Sequence, residues 1–173
     1  QTGLLVVSKR LDTGSPWPLG NNPRSRYFQA KEGDRWISNG AYPLWRVVRA
    51  STAAPTFYDP EEIEIASQAS KAPVKGTFVD GGVSPHNNPA LQAFLYATLA
   101  GYGLNWSRGA DDLLIVSLGT GRTPVERSDP RFAAEAGIVA LQSLMDDCGA
   151  LVETILQGLS ASPTARRIDG ELG

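Results

Sequence analysis

The stretch Thr77-Phe78-Val79-Asp80-Gly81-Gly82-Val83-Ser84-Pro85-His86-Asn87-Asn88-Pro89 decides how the rest of the chain is read. Val74 to Val79 is β-branched and aromatic enough to predict a buried strand. Asp80 then stands at that strand's carboxyl end, where open α/β sheets place their chemistry. Gly81 and Gly82 carry no Cβ, so another group can come close to the backbone there. Asn88 is a good N-cap and Pro89 suits the first helical position. The helix expected next presents Leu91, Phe94, Leu95 and Leu99 at helical spacing and stops near Gly101. Alone, Asp-Gly-Gly reads first as a turn.

Upstream, Leu4-Leu5-Val6-Val7 is a continuous apolar run, the pattern of a strand buried on both faces. Residues 12–26 are rich in Gly, Pro, Asn and Ser and read as loop, with Trp17 pinning it. Residues 27–37 are ambiguous between loop and short edge strands. Residues 42–54 read as a helix with Pro43 early, Leu44, Val47, Val48 and Ser51 on one face, and Pro55 ending it. The small residues of Arg49-Ala50-Ser51-Thr52-Ala53-Ala54-Pro55 let that helix end approach a strand or a substrate. Composition favours close packing alone. Residues 59–65 begin as a turn and become a short strand through Ile63 and Ile65.

Downstream, Leu113-Leu114-Ile115-Val116 predicts a second buried strand running into Ser117-Leu118-Gly119-Thr120-Gly121. Strand, helix, strand in this order makes a βαβ unit with parallel strands. Ile138, Leu141, Met145, Cys148, Val152, Ile155 and Leu159 alternate at spacings of three and four, an amphipathic helix face. A helix packed on a sheet fits that length better than a coiled-coil seam.

The 173 residues suffice for one domain with a real core. A net charge of −2 gives no general pull toward nucleic acid or anionic membrane. Cys148 is the single cysteine and cannot form an internal disulfide. No apolar run approaches the roughly 20 residues of a membrane span, and no signal peptide is recognisable. The chain starts at Gln1 with a strand close behind it, and its last residues lack a capping element. The reading expects a piece of a longer chain at both ends.

The side chains narrow the chemistry. One His, one Cys and no carboxylate cluster beyond Asp111-Asp112 and Asp146-Asp147 argue against metal. Those two pairs read as a strand entrance and a solvated helix face. His86 lies six residues from Asp80, but no Gly-x-Ser-x-Gly completes a triad, so it reads as a loop histidine near a helix start. Gly119-Thr120-Gly121 could cradle a phosphate, yet it lacks the lysine and longer glycine pattern of a P-loop.

Four motifs in order carry a resemblance. Arg49-Ala50-Ser51-Thr52-Ala53-Ala54-Pro55, Asp80-Gly81-Gly82, Asn87-Asn88-Pro89 and Ser117-Leu118-Gly119-Thr120-Gly121 closely resemble the patatin-like phospholipase family in sequence and spacing. Leu11-Asp12-Thr13-Gly14 and the tail from Ser162 to Asp169 look like its bacterial members. The resemblance covers nearly the full chain. It implies a three-layer α/β/α fold with a mostly parallel sheet, incomplete on its N-terminal side, with residues 1–173 forming the downstream part of a single domain. It implies a lipid acyl hydrolase, a phospholipase or esterase, working by a serine–aspartate dyad. By position Asp80 would be the proton acceptor, with Gly81 and Gly82 completing its motif. A carboxylate does this without histidine only in a site dry enough to raise its proton affinity.

The sequence departs from the family at the nucleophile. The Gly-x-Ser-x-Gly elbow and the glycine-rich oxyanion loop, both upstream of residue 1 in the family's order, are not in this chain. Ser51 does not replace the serine, because a small-residue helix end is not the strained strand-to-helix turn that exposes a nucleophile. The sheet would then have an open, aggregation-prone edge. By the resemblance, the partner is a lipid ester or phospholipid at a membrane or micelle surface, with no cofactor, no metal, no nucleic acid and no transmembrane segment. Two other readings stay open. One is a non-catalytic lipid-binding or interaction protein on the same architecture. The other is a magnesium-dependent nucleotide phosphotransferase using Asp80 and Gly119-Thr120-Gly121.

Overall fold

The computed structural model describes residues 2–68, 71–109, 111–119 and 132–160. Four strands, β1 (Leu5–Arg10), β2 (Pro16–Gly20), β3 (Glu61–Gln68) and β4 (Lys71–Asp80), form one sheet in the order β2-β1-β4-β3. Helix α1 (Leu44–Ser51) lies between β2 and β3 in the chain. Helices α2 (Ala90–Thr98) and α3 (Ala133–Leu159) follow β4.

The apolar run at Leu4–Val7 and the run ending at Val79 become β1 and β4, neighbours at the centre of the sheet. They pair antiparallel, with Ser8 opposite Asp80 and Arg10 opposite Phe78. The expected mostly parallel sheet is not what these strands form: every described pairing is antiparallel. Two short connections account for two of the three pairings, β1 with β2 and β3 with β4. Residues 11–15 join β1 to β2 and residues 69–70 join β3 to β4, and neither is long enough for a parallel crossover. β4 lies inside the sheet, paired with β1 at residues 78–80 on one side and with β3 on the other.

The expected strand at Leu113–Val116 is accordingly absent. Residues 113–119 take no regular secondary structure, and Leu114, Val116 and Leu118 are exposed. An apolar run becomes a strand only when a ladder partner satisfies its backbone, and no described segment pairs with it.

β2 lies where a loop is expected. Pro16 and Pro18 alternate along it. The bonds from Arg10 N–H to Ser15 O and from Asn21 N–H to Leu4 O set the phase of the ladder. Both prolines therefore fall where a strand residue's N–H would point away from β1, which an edge strand tolerates. Within residues 27–37 only Trp36 makes a bridge, to Ala66.

The core on one sheet face is Phe78, Ile63 and Ala50 of α1, with Trp17, Tyr42 and Ile65 packed against it. Trp17 meets Phe78 edge-on at 5.6 Å between centroids. The Arg10 guanidinium covers both rings and pairs with Asp12, holding that carboxyl below its usual range. Full burial of a phenylalanine is worth about 1.5–3 kcal/mol, so Phe78 anchors α1 to the sheet.

Two helical faces are rotated from expectation. In α1, Val47 and Ala50 are buried while Leu44 and Val48 are exposed. In α2 the buried residues include Gln92 and Tyr96, and Leu99 is exposed. Gln92 is tolerated inside because its amide donates to the Tyr102 hydroxyl at 3.1 Å. Helix α3 spans the predicted periodic stretch and packs against the turn Pro85–Asn87. Val152 is buried, while Ile138, Leu141, Ile155 and Leu159 are exposed.

Candidate active site

Asp80 is the last residue of β4 and caps a 3-10 turn, Gly81–Val83. Its backbone N–H donates to Ala53 O at 3.0 Å. Its Oδ1 accepts the Gly82 N–H at 2.7 Å. These bonds fix the residue at both ends, backbone to the turn after α1 and side chain to its own loop. Oδ2 accepts no hydrogen bond from any described residue.

The loop is tightened from below. The Ser84 hydroxyl donates to Gly81 O at 2.6 Å and accepts the His86 N–H at 3.2 Å. Ser84 is buried, and as cap of a second 3-10 turn, Pro85–Asn87, it sets where His86 and Asn87 emerge. Gly81 is buried against β1, and a Cβ there would fall 2.2 Å from Val7 O. Gly82 has more room, its virtual Cβ meeting Asp80 Oδ1 and Asn87 Oδ1 at 3.1 Å. The two glycines thus have different reasons to be there. One lets strands close, and the other leaves space beside the carboxylate.

Asp80, Gly82, His86, Asn87, Ser51 and Val7 line a cavity of about 280 Å³. The expected carboxylate and both glycines of its motif therefore meet at one concave site. Burial, then the charge of Lys9, pushes the His86 imidazole below its ordinary value of 6.5. Ser51, Asp80 and His86 share the cavity, yet no hydrogen bond links any two of them. The Ser51 hydroxyl instead donates to Val7 O at 2.7 Å, the bond of a packing residue. The small residues on either side of it serve close packing: Ala50 and Ala53 are both fully buried.

Asn88 works one position away from its expected role. Helix α2 begins at Ala90, and Asn88 Oδ1 accepts the Ala90 N–H at 3.1 Å. The same oxygen accepts the Ser117 hydroxyl at 3.2 Å. That bond brings the start of the Ser117-Leu118-Gly119 motif to the loop after Asp80. Thr120 and Gly121 lie outside the described residues. Sequence reading missed Ser84, Ala53 and the Val7 carbonyl as site-builders; only the run of small residues around Ala53 signalled a close approach.

Chemically, the site presents a carboxylate oriented by one N–H, with its second oxygen open to accept a proton from a hydroxyl. The His86 imidazole, its proton affinity lowered by burial, shares the carboxylate's cavity.

The sequence is similar to known proteins of one family. The family described as "Patatin-like phospholipase" matches residues 7–94. The "Probable inactive patatin-like protein 9" of Arabidopsis thaliana is 30% identical over 105 residues, 61% of this chain and 26% of that protein. "Patatin-like protein 6" of Arabidopsis thaliana is 32% identical over 81 residues, 47% of this chain and 15% of that protein. The chain thus spans about a quarter or less of the length of these relatives.

Proposed function

This chain belongs to the patatin-like phospholipase family, and from that premise we propose that it is the aspartate-bearing part of a lipid acyl hydrolase acting through a serine–aspartate dyad. One observation carries the reading. Asp80 stands at a strand end in a cavity wall, with Oδ1 held by Gly82 N–H and no described donor on Oδ2. A general base needs this arrangement: a fixed carboxylate with one lone-pair site free for the proton it takes. Asp80 accepts the proton of a serine hydroxyl as that oxygen attacks the ester carbonyl, and returns it to the leaving alcohol. Gly81 and Gly82 complete the motif. The serine and the oxyanion donors come from chain outside these residues. The substrate class is a lipid ester or phospholipid, taken at a membrane or micelle surface. No described helix is long and apolar enough to cross a membrane.

The three-layer arrangement belongs to the same proposal. Ala50 of α1 packs on the sheet face of Phe78. Tyr96 of α2 sits where a Cβ on Gly20 would project, and Gly20 opposes Leu5, which faces away from Phe78 by the strand alternation.

In the full natural protein, Asp80→Asn lowers hydrolysis of a p-nitrophenyl ester by roughly 10²–10⁴-fold, the usual contribution of a positioned base. Circular dichroism and the thermal midpoint stay near wild type. Turnover within threefold of wild type overturns the assignment.

One observation favours a second reading, a non-catalytic lipid-binding protein. A relative carries the word inactive in its name. Vesicle binding without ester turnover by the full wild-type protein selects that reading.

A further inference from the structure

We propose that the outer face of α1 and the turn after it form a docking surface for a lipid interface carrying anionic headgroups. The proposal deepens the reading above, because α1 also carries Ser51 into the wall of the Asp80 cavity.

Helix α1 has two unlike stripes. Val47 and Ala50 face inward and are buried. Trp45, Val48, Arg49 and Thr52 follow one another at spacings of three, one and three, one surface stripe. Trp45 is 68% exposed, and Leu44 and Val48 beside it are exposed too. The turn after the helix extends the stripe. Tyr58 lies under the Arg49 guanidinium, 5.6 Å from the ring centroid, and Phe57 next to it is 81% exposed. Leu44, Trp45 and Val48 are thus exposed on one short helix, and Phe57 and Tyr58 are exposed on its turn, with Tyr58 against Arg49. Scattered exposed apolar residues need no explanation, but a contiguous group marks an interaction surface.

Two observations specify the occupant. The first is the residue mix. Trp and Tyr have an apolar body and a polar tip, which suits the boundary between headgroups and acyl chains. Leu, Val and Phe beside them add apolar depth. The second is Arg49. Its Nη2 donates to Asp59 O at 3.0 Å, but Nη1 is shut from solvent with no acceptor. No described carboxylate pairs with it, whereas neighbouring Arg46 is neutralised by Glu61 at 3.0 Å. Arg49, Thr52 and Tyr58 line a second cavity of about 260 Å³. A guanidinium that no described carboxylate neutralises, beside a hydroxyl and a polar-tipped ring, gives this face a positive charge that attracts phosphate headgroups, while the solvent-shut Nη1 takes no part. Apolar stripe and cation together match an anionic lipid surface better than a wholly apolar protein groove.

The test is co-sedimentation of the full natural protein with phosphatidylcholine vesicles, with and without phosphatidylglycerol. Replacing Trp45→Ser with Phe57→Ser is expected to lower partitioning onto both vesicle types by at least about tenfold, from the lost apolar burial. Arg49→Gln is expected to remove about fivefold of the gain given by phosphatidylglycerol, the worth of one cation at such a surface, and to spare binding to neutral vesicles. Trp45→Phe keeps an aromatic body and retains binding. Circular dichroism on each variant checks that the substitutions leave the fold intact. Equal partitioning by wild type and the double variant overturns the proposal. So does a wild type that ignores vesicles but forms a dimer the double variant lacks, since the face would then join two copies. Sedimentation reads binding and not turnover. A protein that docks through this face but cleaves no ester therefore overturns the hydrolase reading and leaves the docking surface standing.

Discussion

Replacing Gly81 and Gly82 by alanine, one at a time, separates the structural from the functional half of the motif. At Gly81 the new Cβ would stand 2.2 Å from Val7 O and 2.9 Å from Val7 C. Gly81 is not among the residues at positive φ, so alanine suits the backbone and the whole cost is steric. Its neighbour is the backbone of β1, a strand held by β2 on one side and β4 on the other. β1 must retreat by about 1 Å to restore ordinary contact. That movement strains the Ser8–Asp80 pairing and the bond from Ser51 to Val7 O. Overpacking against a yielding side chain costs about 1–3 kcal/mol; a backbone neighbour puts Gly81→Ala near the top of that range, about 3 kcal/mol. For a domain of this size the thermal midpoint falls by about 6–12 °C. At Gly82 the nearest atoms are side-chain oxygens at 3.1 Å, Asp80 Oδ1 and Asn87 Oδ1. Both can swing aside, so Gly82→Ala costs less than about 1 kcal/mol. It displaces the oxygen that holds Asp80 in register, so ester turnover falls more than stability. Urea unfolding followed by far-UV circular dichroism, compared at constant slope, measures the first effect. Ester hydrolysis measures the second. A Gly81→Ala protein within about 2 °C of wild type, or equal losses of stability in both variants, refutes the steric argument.

Ser51→Ala is expected to lower stability by about 1 kcal/mol, through loss of its bond to Val7 O. Its ester turnover should stay within threefold of wild type, and a thousandfold loss in a folded protein would make Ser51 the nucleophile after all. His86 titrates below its ordinary 6.5 because of burial and then Lys9. The unfolded chain therefore binds its proton more readily than the folded one, and stability falls as pH drops through about 6.5 toward the lower folded value. Urea midpoints between pH 5 and pH 7.5 should show a decline in wild type that His86→Gln reduces; parallel profiles would remove His86 as the cause.

The carboxylate was readable in the sequence because one local pattern, an apolar run ending in Asp-Gly-Gly, dictates both a strand and a loop at its end. The same holds for α1, where Pro43 and Pro55 bracket the helix. What the sequence could not supply was pairing. β2 carries two prolines and looks like loop until the phase of its ladder places both where no strand N–H is needed. The sheet looked parallel because strand, helix, strand is a strong local pattern, but both described neighbours of β4, β1 and β3, run antiparallel to it. Within the site, Ser84 left no signature because its work is two hydrogen bonds to backbone groups inside its own loop. Any small polar residue in a loop reads alike until those partners are placed.

Apolar patterning states a demand for burial, and the structure shows which demands are met. Leu113-Leu114-Ile115-Val116 and Leu4-Leu5-Val6-Val7 are nearly interchangeable as sequences. Val7 is buried because β1 found two neighbours for its backbone. Leu114 is 85% exposed because residues 113–116 found none among the described residues. The difference lies in the hydrogen-bonding edges rather than the side chains. An extended segment whose N–H and C=O groups stay with water cannot carry its side chains into a core without leaving those groups unsatisfied. The bond from Ser117 to Asn88 nevertheless holds the end of this segment beside the loop that follows Asp80. A strand that paired with residues 113–116 would therefore let Leu114 and Val116 be buried together on one face and also fix the position of the Ser117-Leu118-Gly119 turn relative to the carboxylate.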